Sequence, residues 1–176
     1  HVHGPDEPAA LSEPLSCVIN AQEIAGVKSG DRVLIIGGGM VFTFSKAMGY
    51  PIGNSLLEED KVQLAGQIIE KVKTSKAKLI FPSDVVIASE ISDTAETKVV
   101  PLDKIPDGMK GLDIGPASIK LFKESLTTAK TVIWNGPMGV FESKPFAEGT
   151  FAMARLMADL TGRGATTVVG GGDSAS

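Results

Sequence analysis

The sequence predicts an α/β fold: an open, mainly parallel sheet with helices on both faces, of the three-layer Rossmann-like kind. Short apolar runs alternate along the chain with segments whose apolar residues recur at helical spacing, which is typical of strand–helix–strand units. Three of these runs, "VLIIGGG", "TVIWNGP" and "TVVGGGD", also end directly in glycine. Because the carboxyl ends of parallel strands lie along one edge of the sheet, these glycines predict a ligand crevice at that edge.

Composition supports a globular domain and argues against several classes of function. Of the 176 residues, 43% are hydrophobic and 22% are charged, which favours neither disorder nor a membrane span. The net charge of −4 argues against binding to the phosphate backbone of nucleic acids. The single Cys17 excludes an internal disulfide, and His1 and His3 have no further histidine with which to complete a metal site.

The predicted elements begin after a proline-rich segment. Residues 1–16 read as loop or tail, and a weak apolar pattern over 17–30 indicates a helix. A buried strand follows from Arg32, and then a short helix within 40–49. Ser55 and Glu58 have the spacing of a capping box, which predicts that a long helix begins there. The apolar stripe of that helix is predicted to be Leu57, Leu64, Ala65, Ile68 and Val72.

Strands and helices alternate again in the second half of the chain, after a less regular middle region. Three short apolar runs between residues 77 and 102 surround a polar loop, which indicates an excursion from the main sheet. Pro116 suits the first position of the next helix, and "KTVIWNGP" is a strand that places Trp134 in the sheet core. A strand "ATTVV" follows the last helix. The apolar residues of that helix are Phe151, Met153, Ala154, Met157 and Leu160.

The glycine-rich strand ends do not match the common phosphate-binding fingerprints. "GGGMVF" has Phe42 where the dinucleotide fingerprint has its third glycine, and no G-x-x-x-x-G-K-[ST] occurs. At the last strand end, Asp173 directly follows three glycines. Its carboxylate suits the N-cap of a further helix, and it equally suits a Mg²⁺ ion held beside a phosphate. Both interpretations stay open at this point.

Four segments together resemble the phosphoglycerate kinase family. They are "LIIGGGMVFTFSKAMGYPIGNSLLEEDK", "GLDIGPASI", "VIWNGPMGVFE" and "GGGDS", in the family's order over residues 32–174. The resemblance implies the C-terminal, nucleotide-binding lobe of a two-lobed enzyme that transfers a phosphoryl group between 1,3-bisphosphoglycerate and MgADP, giving 3-phosphoglycerate and MgATP. We therefore divide the chain into a divergent segment, 1–30, and a partial nucleotide-binding lobe, 31–176, whose sheet we expect to be incomplete at the C-terminus.

The resemblance also implies which residues form the nucleotide site. The adenine slot would be lined by Gly37, Gly38, Leu56, Gly111 and Leu112. The floor near the phosphates would be formed by Asn135, Gly136 and Pro137. Val140 would pack on the nucleotide, and Glu142 would bind the ribose hydroxyls. The phosphate oxygens would be held by Gly171, Gly172 and Ser174. Asp173 would bind Mg²⁺, which enters with ADP or ATP.

No catalytic residue is assigned to this lobe. In the family, the basic residues that bind the phosphoglycerate and the arginine that stabilises the transferred phosphoryl group belong to the N-terminal lobe. The family's "GGAKVSDK"-type loop has no counterpart in residues 1–30. Because phosphoryl transfer depends on positioning and charge stabilisation, we expect this chain alone to be nearly inactive. The alternative is a non-catalytic α/β fragment that binds no nucleotide tightly. The resemblance further implies a monomer when full length and a cytoplasmic location, with a plastid as the other option, and no membrane or nucleic-acid partner.

Overall fold

The computed structural model describes residues 32–75 and 77–170. The predictions for residues 1–31, including Cys17, His1 and His3, and for residues 171–176 lie outside the described residues. The helices are α1 (Met40–Ala47), α2 (Val62–Lys73), α3 (Pro116–Leu126) and α4 (Glu148–Gly162). The strands are β1 (Arg32–Ile35), β2 (Ala77–Ile80), β3 (Asp84–Ala88), β4 (Lys98–Pro101), β5 (Lys110–Ile114), β6 (Thr131–Asn135) and β7 (Thr166–Gly170).

Strand pairing confirms the predicted α/β class with an open sheet. β1 pairs with β2, and β6 pairs with β7, both in parallel. The predicted excursion is confirmed for two of its three apolar runs, because β3 pairs antiparallel with β4 on one side and with β5 on the other. Its first run was assigned wrongly, since β2 belongs to the parallel pair with β1. The sequence did not predict β5, since Gly111 and Asp113 interrupt its apolar pattern. Among the described residues, no helix combines the length and the apolar composition that a membrane crossing requires.

The first core lies between α1, α2 and the strands beside them. α1 follows β1 through the glycine turn and buries Val41, Phe42 and Phe44. The ring of Phe44 packs against that of Phe81, with centroids 5.6 Å apart. Aromatic pairs at this separation add packing energy to the area that they bury. This core anchors the turn after β1.

The capping box predicted at Ser55 is wrong. α2 begins at Val62, after a short 3-10 turn over Glu59–Lys61. The Ser55 hydroxyl instead accepts a hydrogen bond from the Gly111 N–H (2.8 Å), and the Glu58 N–H donates to the Thr43 hydroxyl (3.3 Å). A tertiary contact has therefore taken the Ser55 hydroxyl, which would have been the capping group.

The later start also corrects the apolar stripe of α2. Leu64 is 42% exposed, so its place in the predicted stripe is wrong. Ala65 is buried, and Ile68 packs on the first core as predicted. Ile69 joins them, because residues 65, 68 and 69 lie on the same face of a helix.

The second core lies between α3, α4 and β6. Phe122 and Leu126 of α3 are buried, and Pro116 occupies the start of that helix as predicted. Trp134 is buried in the sheet, as predicted. α4 forms where a helix was predicted, and three of its apolar residues, Met153, Met157 and Leu160, are buried.

Two of the predicted apolar residues of α4 lie on its outer side. Phe151 is 51% exposed and Ala154 is exposed as well, so not every apolar residue of this helix faces the core. Ala152 and Leu156 are buried in their place. The inward row of α4 advances by three or four residues from Gly149 through 152–153 and 156–157 to 160, and residues 151 and 154 fall off that row.

Candidate functional site

The glycine turns after β1 and β6 lie together and β7 ends beside β6, although β1 belongs to a separate sheet from β6 and β7, so the single sheet edge that the sequence predicted is only partly confirmed. Asn135 and Gly170 are register partners at the ends of β6 and β7, and the Gly136 N–H donates to the Gly170 carbonyl (3.4 Å). The turn after β1 touches the turn after β6, because a Cβ on Gly38 would lie 2.7 Å from the Pro137 carbonyl oxygen. Gly38 also has a φ of +63°, which only glycine adopts readily.

A cavity of about 400 Å³ opens at this edge. Its walls come from four places: the β1–α1 turn with α1, the segment before α2, the β3–β5 sheet with its connecting loop, and the turn after β6. Most of the lining is apolar, including Phe42, Leu56, Val85, Leu112 and Val140. A mostly apolar cleft of this volume suits a flat organic ring, which is typical of small-molecule sites.

Six of the residues that the sequence assigned to a nucleotide line this cavity. They are Gly38, Leu56, Gly111, Leu112, Pro137 and Val140. Gly37 lies directly behind the lining, since a Cβ there would collide with the side chain of Met138. Glycine at 37 and 38 therefore allows the first turn to approach the second.

The remaining predicted residues lie away from the cavity wall or outside the described chain. Asn135 and Gly136 lie at the end of β6, beside Gly170 rather than on the lining. Glu142 is exposed in the loop beyond Val140. Gly171, Gly172, Asp173 and Ser174 lie outside the described residues.

Two close contacts shape the cavity. A Cβ on Gly111 would overlap the ring of Phe42, so β5 and α1 are in direct contact at the floor. A Cβ on Gly39 would lie 2.6 Å from Cδ2 of Leu56, which brings the segment before α2 over the first turn. Leu56 nevertheless remains 67% exposed, because its other side faces the open cavity. An exposed leucine at the rim of a cleft is a ready contact for an apolar ligand face.

Asp113 is the feature of the site that sequence reasoning missed. Asp113 is one of the residues that line the cavity, and it is 4% exposed. Its Oδ2 accepts a hydrogen bond from the Gly149 N–H (2.7 Å), and its Oδ1 accepts one from the Ile114 N–H (2.8 Å). Burial raises the pKa of Asp113 to about 6, against the effect of these hydrogen bonds, and the nearby Glu148 charge raises it further. A charged residue inside the run "GLDIG" was the available signal.

The segment after β6 is held by several backbone hydrogen bonds. The N–H groups of Met138 and Gly139 donate to the Thr150 hydroxyl (3.0 and 3.4 Å), and the Val140 N–H donates to the Leu112 carbonyl (2.9 Å). Asp93, from the β3–β4 loop, accepts from the Ser143 hydroxyl at 3.1 Å. This wall is therefore fixed to β5, α4 and the excursion.

Charge is sparse around the cavity. Among its lining residues, Lys110 is the single cationic side chain and Asp113 the single carboxylate. Within residues 32–75 and 77–170, no group of three or more His, Cys, Asp or Glu side chains could hold a metal ion. The described lining is thus suited to an apolar ring rather than to a metal ion.

Comparison with known proteins identifies relatives of the chain. The family model described as phosphoglycerate kinase matches residues 22–176. The cytosolic phosphoglycerate kinase of Triticum aestivum is 58% identical over 142 residues, which is 81% of this chain and 35% of that protein. The chloroplastic phosphoglycerate kinase 2 of Arabidopsis thaliana is 54% identical over 142 residues, or 81% of this chain and 30% of that protein. The chain thus spans about a third of the length of the curated relatives it matches.

A solved structure agrees with this kinship. The phosphoglycerate kinase of Coxiella burnetii superposes with a TM-score of 0.82 at 36% sequence identity. The match covers 94% of this chain and 41% of that one. The fold described above is therefore shared with that protein over nearly the whole chain.

Proposed function

The chain belongs to the phosphoglycerate kinase family, and from that membership we propose that it supplies part of the nucleotide site of an enzyme that transfers a phosphoryl group between 1,3-bisphosphoglycerate and MgADP, giving 3-phosphoglycerate and MgATP. The observation that carries the proposal is the apolar cavity at the edge where the glycine-ended strands meet. Open α/β sheets bind their ligands at this kind of edge. The domain boundary at residue 31 is part of the same proposal.

In this proposal the adenine enters the cavity. Gly38, Gly111 and Leu112 contact its faces, Leu56 covers it from the rim, and Gly37 allows the first turn to come close. Support comes from the apolar cavity lining, and from the close contacts at Gly39 and Gly111 that bring Leu56 and Phe42 to the cavity. Such a cavity excludes water from both faces of a ring, which is the main source of affinity for an aromatic base.

The polar end of the nucleotide would lie toward the ends of β6 and β7. Asn135, Gly136 and Pro137 would form the floor near the phosphates, Val140 would pack on the nucleotide, and Glu142 would accept hydrogen bonds from the ribose hydroxyls. Gly171, Gly172 and Ser174 would hold phosphate oxygens. Their backbone N–H groups and hydroxyl have the chemistry that phosphate requires, and β7 runs toward this edge.

Magnesium would enter with the nucleotide, and Asp173 is its proposed ligand. The donor set fits, because Mg²⁺ is commonly held by one or two carboxylates together with substrate phosphates and waters. The ion would neutralise phosphate charge during transfer. The residues of this chain would hold and orient the nucleotide, while the acceptor substrate would bind to parts of the enzyme outside this chain.

Because phosphoryl transfer depends on bringing both substrates together, we propose that this chain alone binds nucleotide and catalyses almost no transfer. The full-length protein would be a monomer. Its location would be cytoplasmic, with a plastid as the alternative, since relatives named both cytosolic and chloroplastic match.

A pair of exposed leucines provides the test. Leu56 lines the cavity and is 67% exposed, whereas Leu64 on α2 is 42% exposed and lies off the lining, so neither substitution should unfold the chain. We expect calorimetric titration with MgADP to show binding that Leu56→Asp weakens about tenfold or more and Leu64→Asp leaves unchanged. A wild-type chain that millimolar MgADP neither titrates nor stabilises against heat would instead favour the non-catalytic fragment.

A further inference from the structure

We propose that Asp113 is a positioning residue of this cavity: its buried carboxylate ties β5 to the first turn of α4 and so sets the separation between the two walls that receive the nucleotide base. The proposal rests on the function proposed above. Nothing in the family resemblance or in the sequence pattern assigned Asp113 to the site.

The first wall is β5 itself. Gly111 and Leu112 line the cavity, and Asp113 is the next residue on the same strand. Its Oδ1 accepts from the Ile114 N–H, which holds the side chain against its own strand, while its Oδ2 reaches the Gly149 N–H in the first turn of α4. One carboxylate therefore joins two elements.

The second wall is the segment Pro137–Val140, which depends on both of those elements. Thr150, the residue after Gly149, accepts hydrogen bonds from the Met138 and Gly139 N–H groups. The Val140 N–H donates to the carbonyl of Leu112, the residue before Asp113. A shift of α4 relative to β5 would therefore pull this segment from both ends.

The space around the carboxylate is filled. A Cβ added to either Gly139 or Gly149 would collide with Oδ1 of Asp113. At Gly139 that Cβ would also lie 2.6 Å from the Phe146 carbonyl oxygen. Two glycines thus allow the backbone of the second wall and of α4 to pack directly against the carboxylate. Because this packing is tight, a shift of the carboxylate should shift both segments.

Asp84 is a natural control. It holds the start of α3 in the same way, accepting from the Ala117 and Ser118 N–H groups at 3.1 and 2.7 Å. α3 contributes no residue to the cavity lining. Asp84 itself lies on β3 beside the lining residue Val85, but its carboxylate is bound to α3, so its loss should cost a helix cap and leave the separation between β5 and α4 unchanged.

Acidification offers a second way to alter the Asp113 carboxylate. Its raised pKa, about 6, brings its protonation into an accessible range. Glu148 on α4 is the charged neighbour that acts on it, and Lys110 lies on its own strand. The facing segments, 137–141 and 85–86, carry no titratable side chain.

The experiment is a calorimetric titration of the chain and two variants, Asp113→Asn and Asp84→Asn, with MgADP at about pH 7.5 and about pH 5.5. We expect Asp113→Asn to weaken binding about tenfold at the higher pH, because the amide cannot accept from both N–H groups, and Asp84→Asn to match the wild type. The ADP phosphate also gains a proton in this range. When the pH falls from about 7.5 to about 5.5, Asp84→Asn should lose as much affinity for MgADP as the wild type does. Asp113→Asn should lose only the part of the affinity that protonation of ADP removes.

Equal affinities for the two variants at both pH values would overturn the proposal. If Asp113→Asn does not fold, adenosine, which carries no phosphate, replaces ADP as the probe of the wild type. Weaker adenosine binding at the lower pH supports the positioning role, and an unchanged affinity overturns it. A wild type that binds neither ligand at either pH refutes the proposed function itself and this role with it.

Discussion

The first turns of α3 and α4 are stabilised by the same device in two different settings. At α3, Asp84 accepts from two backbone N–H groups while remaining half-buried and outside the cavity. At α4, Asp113 accepts from the Gly149 N–H while 4% exposed on the cavity wall. In each place a glycine, Gly115 or Gly149, leaves room for the carboxylate. Both helices are thus capped by a carboxylate, and the cap of α4 differs in being buried beside the cavity.

That burial has a cost. Burial disfavours the ionised form of a carboxylate, and it raises the pKa of Asp113 to about 6. Above that pH Asp113 carries a charge that its surroundings disfavour. A cap on α4 alone would not require it, since the exposed side of a helix start can be capped at little cost. The comparison therefore teaches that Asp113 is better explained by the cavity than by stability.

The largest expected effect is a difference in how stability depends on pH. The folded pKa of Asp113, about 6, exceeds its ordinary 3.8, so its contribution to the free energy of unfolding is fully present below 3.8 and is lost as pH rises to 6. The loss should be at most about 3 kcal/mol. Urea unfolding followed through Trp134 between about pH 4 and pH 7 should show it in the wild type and in Asp84→Asn. Asp113→Asn should lack this loss of unfolding free energy. The same pH dependence in all three chains would contradict the difference drawn here between Asp113 and Asp84.

The next effect uses two glycines of α4. Gly149→Ala should destabilise the chain by about 2 kcal/mol, because the new methyl group collides with Asp113 and with Ile114. Gly162→Ala, where a Cβ meets nothing within 4 Å, should be neutral or stabilising by up to about 1 kcal/mol. Thermal melts of both variants measure this. Stabilisation by Gly149→Ala would mean that the packing around Asp113 is loose.

Removing the cap of α3 should have a smaller and purely structural effect. Asp84→Ala leaves the Ala117 and Ser118 N–H groups without their acceptor and should cost about 1–2 kcal/mol of unfolding free energy. The affinity for MgADP, measured by calorimetry on the folded variant, should stay at the wild-type value. A drop in affinity would show that both carboxylates control the cavity.

The smallest effect should come from Asp93, an exposed carboxylate that accepts from the Ser143 hydroxyl and the Lys144 N–H at 3.1 Å each. Asp93→Ala should cost less than about 1 kcal/mol of unfolding free energy, because these hydrogen bonds compete with water. Asp107→Ala, at another exposed aspartate, serves as the control in the same melts. A loss of unfolding free energy larger than that of Asp84→Ala would contradict this order, because it would make the exposed carboxylate the more important one for stability.

Sequence patterns predicted an element correctly wherever its type depended only on neighbouring residues in the chain. The strands before the glycines and the helix that begins at Pro116 have the predicted type and place, and the excursion was predicted without its antiparallel pairing. Patterns failed where a distant group competed for the same residue. Ser55 has the spacing of a helix cap, but the Gly111 N–H, 56 residues away, donates to its hydroxyl. Phe151 is apolar at helical spacing, yet the direction of α4 turns it to the outside.

By itself the sequence determined the α/β class, the glycine edge and the family, because strand and helix periodicities and short motifs are local properties of the chain. It also named six residues of the cavity lining, such as Leu56 and Gly111. Only the tertiary structure decided what Asp113 does. Its hydrogen-bond partner Gly149 lies 36 residues away, and its raised pKa arises from burial by several elements at once. Electrostatic environment is a property of packed neighbours, and no spacing along the chain encodes it.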